Sequence, residues 1–269
     1  MRKQMAKKFF GFLWLMRIPI VCVSILLAMI SLNFCCIYNF SYIVPLACII
    51  MAGYIQNDIL DYRIDKISAS NRPLPSGNVS VKAAKRLYWI LVVLGMVYGV
   101  ILQQVSYLIY LCAILGAFYI YTKYCKSNWL LKNLFTAFTS TTVIFIPIIF
   151  DERLNIKVIC LGNIAFFFTL GREILMDIRD REGDRVIINV KRPPVAFGHI
   201  LSVLFLFISF IVKEIYFFEI DIMRYIVYIL IVLVIYFLFI KKKSKYWVAS
   251  ESIKVVFLYD LAKIYMGSG

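Results

Sequence analysis

The sequence predicts an all-α polytopic membrane protein, a bundle of nine transmembrane helices, and three observations carry that expectation. Of the 269 residues 62% are hydrophobic and the mean hydropathy is +0.85, far beyond a soluble domain and enough for many spans. Apolar stretches near the ~20 residues needed to cross a bilayer fall at 18–36, 40–60, 86–104, 107–122, 133–150, 155–176, 196–213, 221–240 and 247–266. Basic residues alternate with these spans: 24 of the 30 Lys and Arg lie in the N-terminal arm through Arg17 and in the connections 61–86, 123–132, 172–192 and 241–245. By the positive-inside rule these segments are cytoplasmic, and both strongly acidic stretches of the chain then share that side.

Taken in order, the arm MRKQMAKKFFGFLWLMR is basic and amphipathic, has no small-residue cleavage site after it, and is expected along the inner membrane surface rather than removed as a signal peptide. The second span runs into YIQNDILDYRIDKISASNRPLPSG, residues 54–77, where Asn57, Asp61 and Asp65 recur every four residues with Asp58 beside them, one polar stripe on a helix. Residues 66–80 follow as an ordered loop with turns at Pro73 and Pro75 and a break at Gly77, placed to cover a site. Only QQVS separates the third span from the fourth. The sixth runs into GREILMDIRDREGD, residues 171–184, whose Glu173, Asp177, Asp180 and Asp184 again form one helical face, and residues 183–195 read as a second loop. Apolar helix, acidic stripe and Pro-containing basic loop thus recur about 116 residues apart, which makes the chain a single transmembrane domain, 1–269, of two pseudo-repeated halves, 1–130 and 131–269.

Eight of the fifteen acids occupy these two short segments. Carboxylates that continue apolar helices are costly unless they serve a function, and hard oxygen ligands in two facing stripes suit Mg2+ bound together with phosphate. Arg72, Lys123, Lys126, Lys191 and Arg192 lie in the same connections as the acids; metals that neutralise some oxygens and cations that take others are what a metal-bridged diphosphate requires. The rest of the net charge of +15 orients spans and attracts anionic lipid heads. No soluble basic domain exists to hold nucleic acid. The seven Cys have no CxxC pair and the single His199 no partner cluster, which excludes zinc and haem; His199 reads as an interfacial hydrogen-bonding group. Tyr54, Tyr62, Tyr119 and Tyr121 stand near the cytoplasmic ends, where aromatic faces would stabilise a cation. Helix ends merely solvated by cytoplasm, or a cation transporter, are the competing readings; a transporter needs acids at the midplane or on both faces, and these are confined to one.

The segments N57-D58-I-L-D61-Y-R-I-D65 and N71-R72-P73-L74-P75-S76-G77 resemble the first signature of the UbiA superfamily of intramembrane prenyltransferases, and D177-I-R-D180-R-E-G-D184 followed by Lys191 resembles the second. Within that superfamily the two stretches are most similar to the digeranylgeranylglyceryl phosphate synthases. The resemblance implies a nine-helix bundle around a central cavity and transfer of a prenyl group from a polyprenyl diphosphate to a lipid acceptor, forming an ether bond. Aromatic acceptors of the quinone type and intramolecular cyclisation are the other reactions it allows. It also implies that Asn57, Asp61, Asp65, Asp180 and Asp184, with Asp58 beside them and Asp177 in support, hold Mg2+, and that Lys123, Lys126 and Arg17 match basic positions. After the family-like Lys191, where a small hydroxyl residue and an aliphatic are usual, this chain has Arg192 and Pro193, an extra cation expected to act on the acceptor.

Overall fold

Long apolar runs in a bilayer leave backbone amides no partner but one another, so helices follow from composition. The computed structural model describes residues 2–68, 71–126, 128–150, 155–187 and 195–217, with 254, 255, 257–259, 261 and 264; side chains are described from Lys7 onward and, in the long seventh helix, as far as Ile178. In chain order the helices are α1 (Arg2–Leu15), α2 (Ile18–Phe34), α3 (Ile43–Ser68), α4 (Val81–Ile101), α5 (Val105–Ile120), α6 (Trp129–Thr142), α7 (Ile156–Ile187) and α8 (Val195–Phe217). A π-helical turn, Tyr121–Cys125, extends α5, and a 3-10 segment, Val143–Ile149, extends α6.

Seven helical stretches are long and apolar enough to cross a membrane, from Lys7–Phe34 to Phe197–Phe217. They coincide with the first seven expected spans. The expected span 221–240 lies outside the described residues, and 247–266 is described at only seven positions. Several helices run past the expected spans: α3 continues to Ser68, so residues 66–68 are helical rather than loop, α6 starts at Trp129 and α8 ends at Phe217. α4 starts at Val81 rather than 86 because the Ser80 hydroxyl caps it, accepting from the Ala83 amide at 3.2 Å. α7 continues to Ile187, so residues 183–187 are helical rather than loop; a lone glycine costs a helix about 1 kcal/mol and no proline intervenes before Pro193.

The chain packs around α3, which touches α2, α4, α5 and α7, while α7 pairs with α6 and α8. The main core joins α2, α3, α5 and α7 through Leu32, Leu46, Ile49, Leu111, Ile144 and Leu161, none of them exposed. Polar groups inside this apolar interior are satisfied locally: Ser31 donates to the Ile144 carbonyl, Tyr110 to that of Thr142 at 2.8 Å, and the hydroxyls of Thr139, Ser140 and Thr142 bond back to carbonyls one turn earlier in α6. The outer faces of α4 and α5 present Trp89, Ile90, Val93, Val97, Val105 and Ile109, an apolar surface that suits lipid contact. Phe257 stacks on Phe168 of α7 with ring centroids 4.0 Å apart.

Close approach of α3 and α5 depends on Gly53, where an added Cβ would meet the Phe118 ring at 2.2 Å, with Cγ of that ring at 2.5 Å and therefore unable to swing clear. Gly53→Val is expected to destabilise the protein by about 1–3 kcal/mol, seen as a lower unfolding midpoint in detergent; an unchanged midpoint would contradict this packing.

Candidate active site

The stripe expected at 57–65 lies on α3 as a continuous helical face, and each of its carboxylates meets a cation from a different element. Arg17 stands at the junction of α1 and α2 with φ 49°, a left-handed conformation uncommon outside glycine. Its guanidinium lies 3.3 Å from Asp58 and 5.1 Å from the centre of the Tyr54 ring. Arg72, on the loop that follows α3, reaches back to Asp65 at 2.7 Å. The loop is shaped by Gly77 at φ 76° and by amide bonds from Ser76, Gly77 and Val79 to the carbonyls of Arg72, Leu74 and Pro73. Lys126, just beyond the π turn, pairs with Asp61 and also lies 2.8 Å from Asn57 Oδ1, which the Thr122 hydroxyl approaches at 2.9 Å. Asp58 and Asp65 are buried at 4% and 6% exposure, so these carboxylates depend on their partners for compensation.

The second stripe is met in the same way. Asp177 on α7, 1% exposed, pairs with Lys132 and accepts from Asn133 Nδ2 at 2.9 Å, both at the start of α6. One turn earlier Glu173 pairs with Arg172 at 2.6 Å. Since α3 and α7 touch and residues between Thr122 and Asn133 contact an acid or amide of each, Asp177 and the first stripe belong to one polar region. The side chains of Asp180 and Asp184, and Lys191 and Arg192 altogether, lie outside the described residues.

Electrostatics distinguish two of the cations. Burial pulls the Lys126 ammonium below the ordinary lysine range, and Asp61 opposes that shift without cancelling it. Burial also pulls Arg72 down, but the Asp65 carboxylate and its hydrogen bond outweigh it and the net shift is upward. Tyr121 stacks on Phe135 beneath the Lys126 ammonium, and Tyr54 packs edge-on to Phe118.

Lys123, also expected at the site, does not join these acid–cation pairs. Its side chain is exposed, its amine lies 3.2 Å from the Tyr119 hydroxyl, and it sits over the Tyr119 and Tyr124 rings. Thr122 and Lys126 are four residues apart and share the face toward Asn57; Lys123, one residue on from Thr122, is turned about 100° away. Thr122, Lys132 and Asn133 were not expected. The first was detectable from its four-residue spacing to Lys126, and the other two as an ammonium and an amide inside the otherwise apolar WLLKNLF.

Among the described residues no three His, Cys, Asp or Glu side chains converge as a metal cluster. The donor chemistry nonetheless suits a hard divalent cation: Asn57, Asp58, Asp61, Asp65 and Asp177 offer oxygen alone, and Asn133 Oδ1 is buried without a hydrogen-bond partner among the described residues.

A sequence model of the UbiA prenyltransferase family matches residues 19–264. The chain belongs to this family. Among its relatives, the digeranylgeranylglyceryl phosphate synthase of Sulfurisphaera tokodaii is 38% identical over 134 residues, 49% of this chain and 48% of the relative. The chain thus spans about half the length of the curated relatives it matches. The fold resembles a solved digeranylgeranylglyceryl phosphate synthase, with TM-score 0.63 and 23% identity over 97% of this chain and 98% of the other. It also resembles a UbiA homologue from Archaeoglobus fulgidus bound to GPP and Mg2+, with TM-score 0.62 and 16% identity over 96% and 99% of the two chains. Membership of this family, with the seven long apolar helices among the described residues, makes the chain a helical integral membrane protein.

Proposed function

We propose that the protein transfers a prenyl group from a polyprenyl diphosphate to a lipid acceptor, with Mg2+ assisting departure of the diphosphate. The observation that carries this reading is the set of acid–cation pairs whose four cations come from four separate segments to the touching helices α3 and α7. Carboxylates to hold a metal and cations to hold phosphate oxygens stand within contact of one another, in a chain of a prenyltransferase family. The names of its relatives support a glyceryl phosphate acceptor and ether-lipid synthesis, and the A. fulgidus homologue supports GPP-like donors and Mg2+.

In this reading Asn57, Asp61 and Asp65, with Asp58 adjacent, face Asp177, Asp180 and Asp184 across the site. Bound Mg2+ would neutralise the diphosphate and improve it as a leaving group. Arg17, Arg72, Lys126 and Lys191 take the remaining phosphate oxygens. The allylic C–O bond breaks with its electron pair leaving on the diphosphate, the carbon becomes cation-like beside the Tyr54 and Tyr121 faces, and the acceptor hydroxyl oxygen forms the new bond and releases its proton. No protein nucleophile is required. Lys123 has no part in this assignment, and Arg192 is assigned to the acceptor. The distribution of Lys and Arg supports a site on the cytoplasmic side, and the recurrence of stripe and loop supports two related halves and nine spans in all.

The test incubates the purified protein in nanodiscs with labelled prenyl diphosphates of several lengths, Mg2+, and a panel of glyceryl phosphate and aromatic acceptors. Diphosphate release matched by an alkylated glyceryl phosphate supports the proposal. Release with an aromatic product, or with a cyclic hydrocarbon and no acceptor incorporated, replaces the acceptor assignment, and no release with any donor contradicts prenyl transfer.

A further inference from the structure

Lys126 occupies the oxygens that a cation on the first stripe would need. Its Nζ hydrogen-bonds Asp61 Oδ2 and lies 2.8 Å from Asn57 Oδ1. Both side chains of the pair are largely covered, 21% and 14% exposed, so water cannot readily take the place of either partner. Mg2+ binds oxygen at about 2.1 Å and demands near-octahedral geometry; an ammonium already in contact with the same carboxylate oxygen and the same amide oxygen fills that position. Arg72 also covers an acid, Asp65, but it extends from a loop, is 37% exposed and engages one acceptor. Lys126 thus bridges two of the expected ligands.

We propose that Lys126 is an internal competitor for the divalent cation, which neutralises Asp61 in the free protein and yields it only when a diphosphate offers the ammonium another anion. This rests on the proposed prenyl transfer and adds an order to it: metal and diphosphate enter together, each favoured by the other, because the diphosphate draws away the cation that blocks the metal. Lifting the ammonium off Asp61 with no new acceptor would leave a covered charge unpaired, which opposes binding of metal alone. The coupling is reciprocal by linkage, so the metal also favours the diphosphate.

The test measures Mn2+ binding to the purified protein in nanodiscs by electron paramagnetic resonance, without diphosphate and then with an unreactive prenyl thiolodiphosphate. Without diphosphate, Lys126→Met and Lys126→Gln are expected to bind Mn2+ at least about tenfold more tightly than the wild type, since a contacting positive charge has been removed. Lys123→Met, which removes the same charge from a nearby exposed position, should stay within about twofold of the wild type. Two substitutions guard against a folding defect in one, and circular dichroism identifies a variant that has lost its helices. Equal affinity of the wild type and both Lys126 variants overturns the competition and leaves prenyl transfer standing. Equal tightening by Lys123→Met overturns it as well, because the effect would then be a general field. Absence of Mn2+ binding in every variant even with the thiolodiphosphate overturns both this proposal and the metal-assisted reaction on which it rests.

Discussion

Asp61→Asn is expected to lower turnover by about a thousandfold or more at unchanged expression, the scale of loss when a preorganised electrostatic element of a site is removed. Asparagine keeps the shape and one oxygen but drops the charge. It therefore removes one anionic ligand from the first stripe and leaves Lys126, now without that carboxylate, beside Asn57. Because Asp61 stands in the interior of α3, the substitution leaves the helix in place, and the circular dichroism spectrum should match the wild type. Consumption of labelled prenyl diphosphate at saturating Mg2+ measures the effect. A loss smaller than about tenfold would remove Asp61 from the set that acts on the diphosphate.

Lys132→Met carries the second large effect, on stability rather than chemistry. Asp177 is 1% exposed, and Lys132 and Asn133 are among its partners. Methionine fills the lysine stem's volume but takes the ammonium away from a buried carboxylate. Breaking a buried pair from one side costs about 3–5 kcal/mol, whereas replacing both charges by apolar groups of similar size is often neutral. Lys132→Met should thus lower the unfolding midpoint strongly in detergent, and Lys132→Met with Asp177→Leu should recover much of that loss while remaining inactive. If the single variant unfolds with the wild type, the pair does not hold α6 to α7.

The contrast between Asp61 and Lys132 shows how much of the site is legible in the sequence. Asn57, Asp61 and Asp65 can be read together because helical spacing is a local rule and α3 obeys it. The loop after α3 is equally legible, since Pro73 and Pro75 each fix φ and Gly77 takes the positive φ that glycine permits. Span limits are less so. Apolar length marks the part of a helix that lipid covers, while α4 and α7 continue through charged turns that only capping and proline positions end. The choice between Lys123 and Lys126 depends on which face of the turn after α5 meets Asn57, and composition contains no such information. Lys132 and Asn133 are 45 and 44 residues from Asp177; pairing at that separation depends on helix packing, which no local pattern encodes. Arg17 is recognisable as a cation before a proline, but not as a residue in the left-handed region that points at Asp58.

That two stripes more than a hundred residues apart serve one diphosphate is the claim on which the rest depends, and a double-mutant cycle on turnover tests it most directly. Asp61→Asn, Asp180→Asn and the double variant are assayed together above the detection floor and at saturating Mg2+. A shared site predicts that each single change dismantles the same constellation, so the double variant is hardly slower than the poorer single. A double loss near the product of the two single losses would show two independent sites and contradict the shared one.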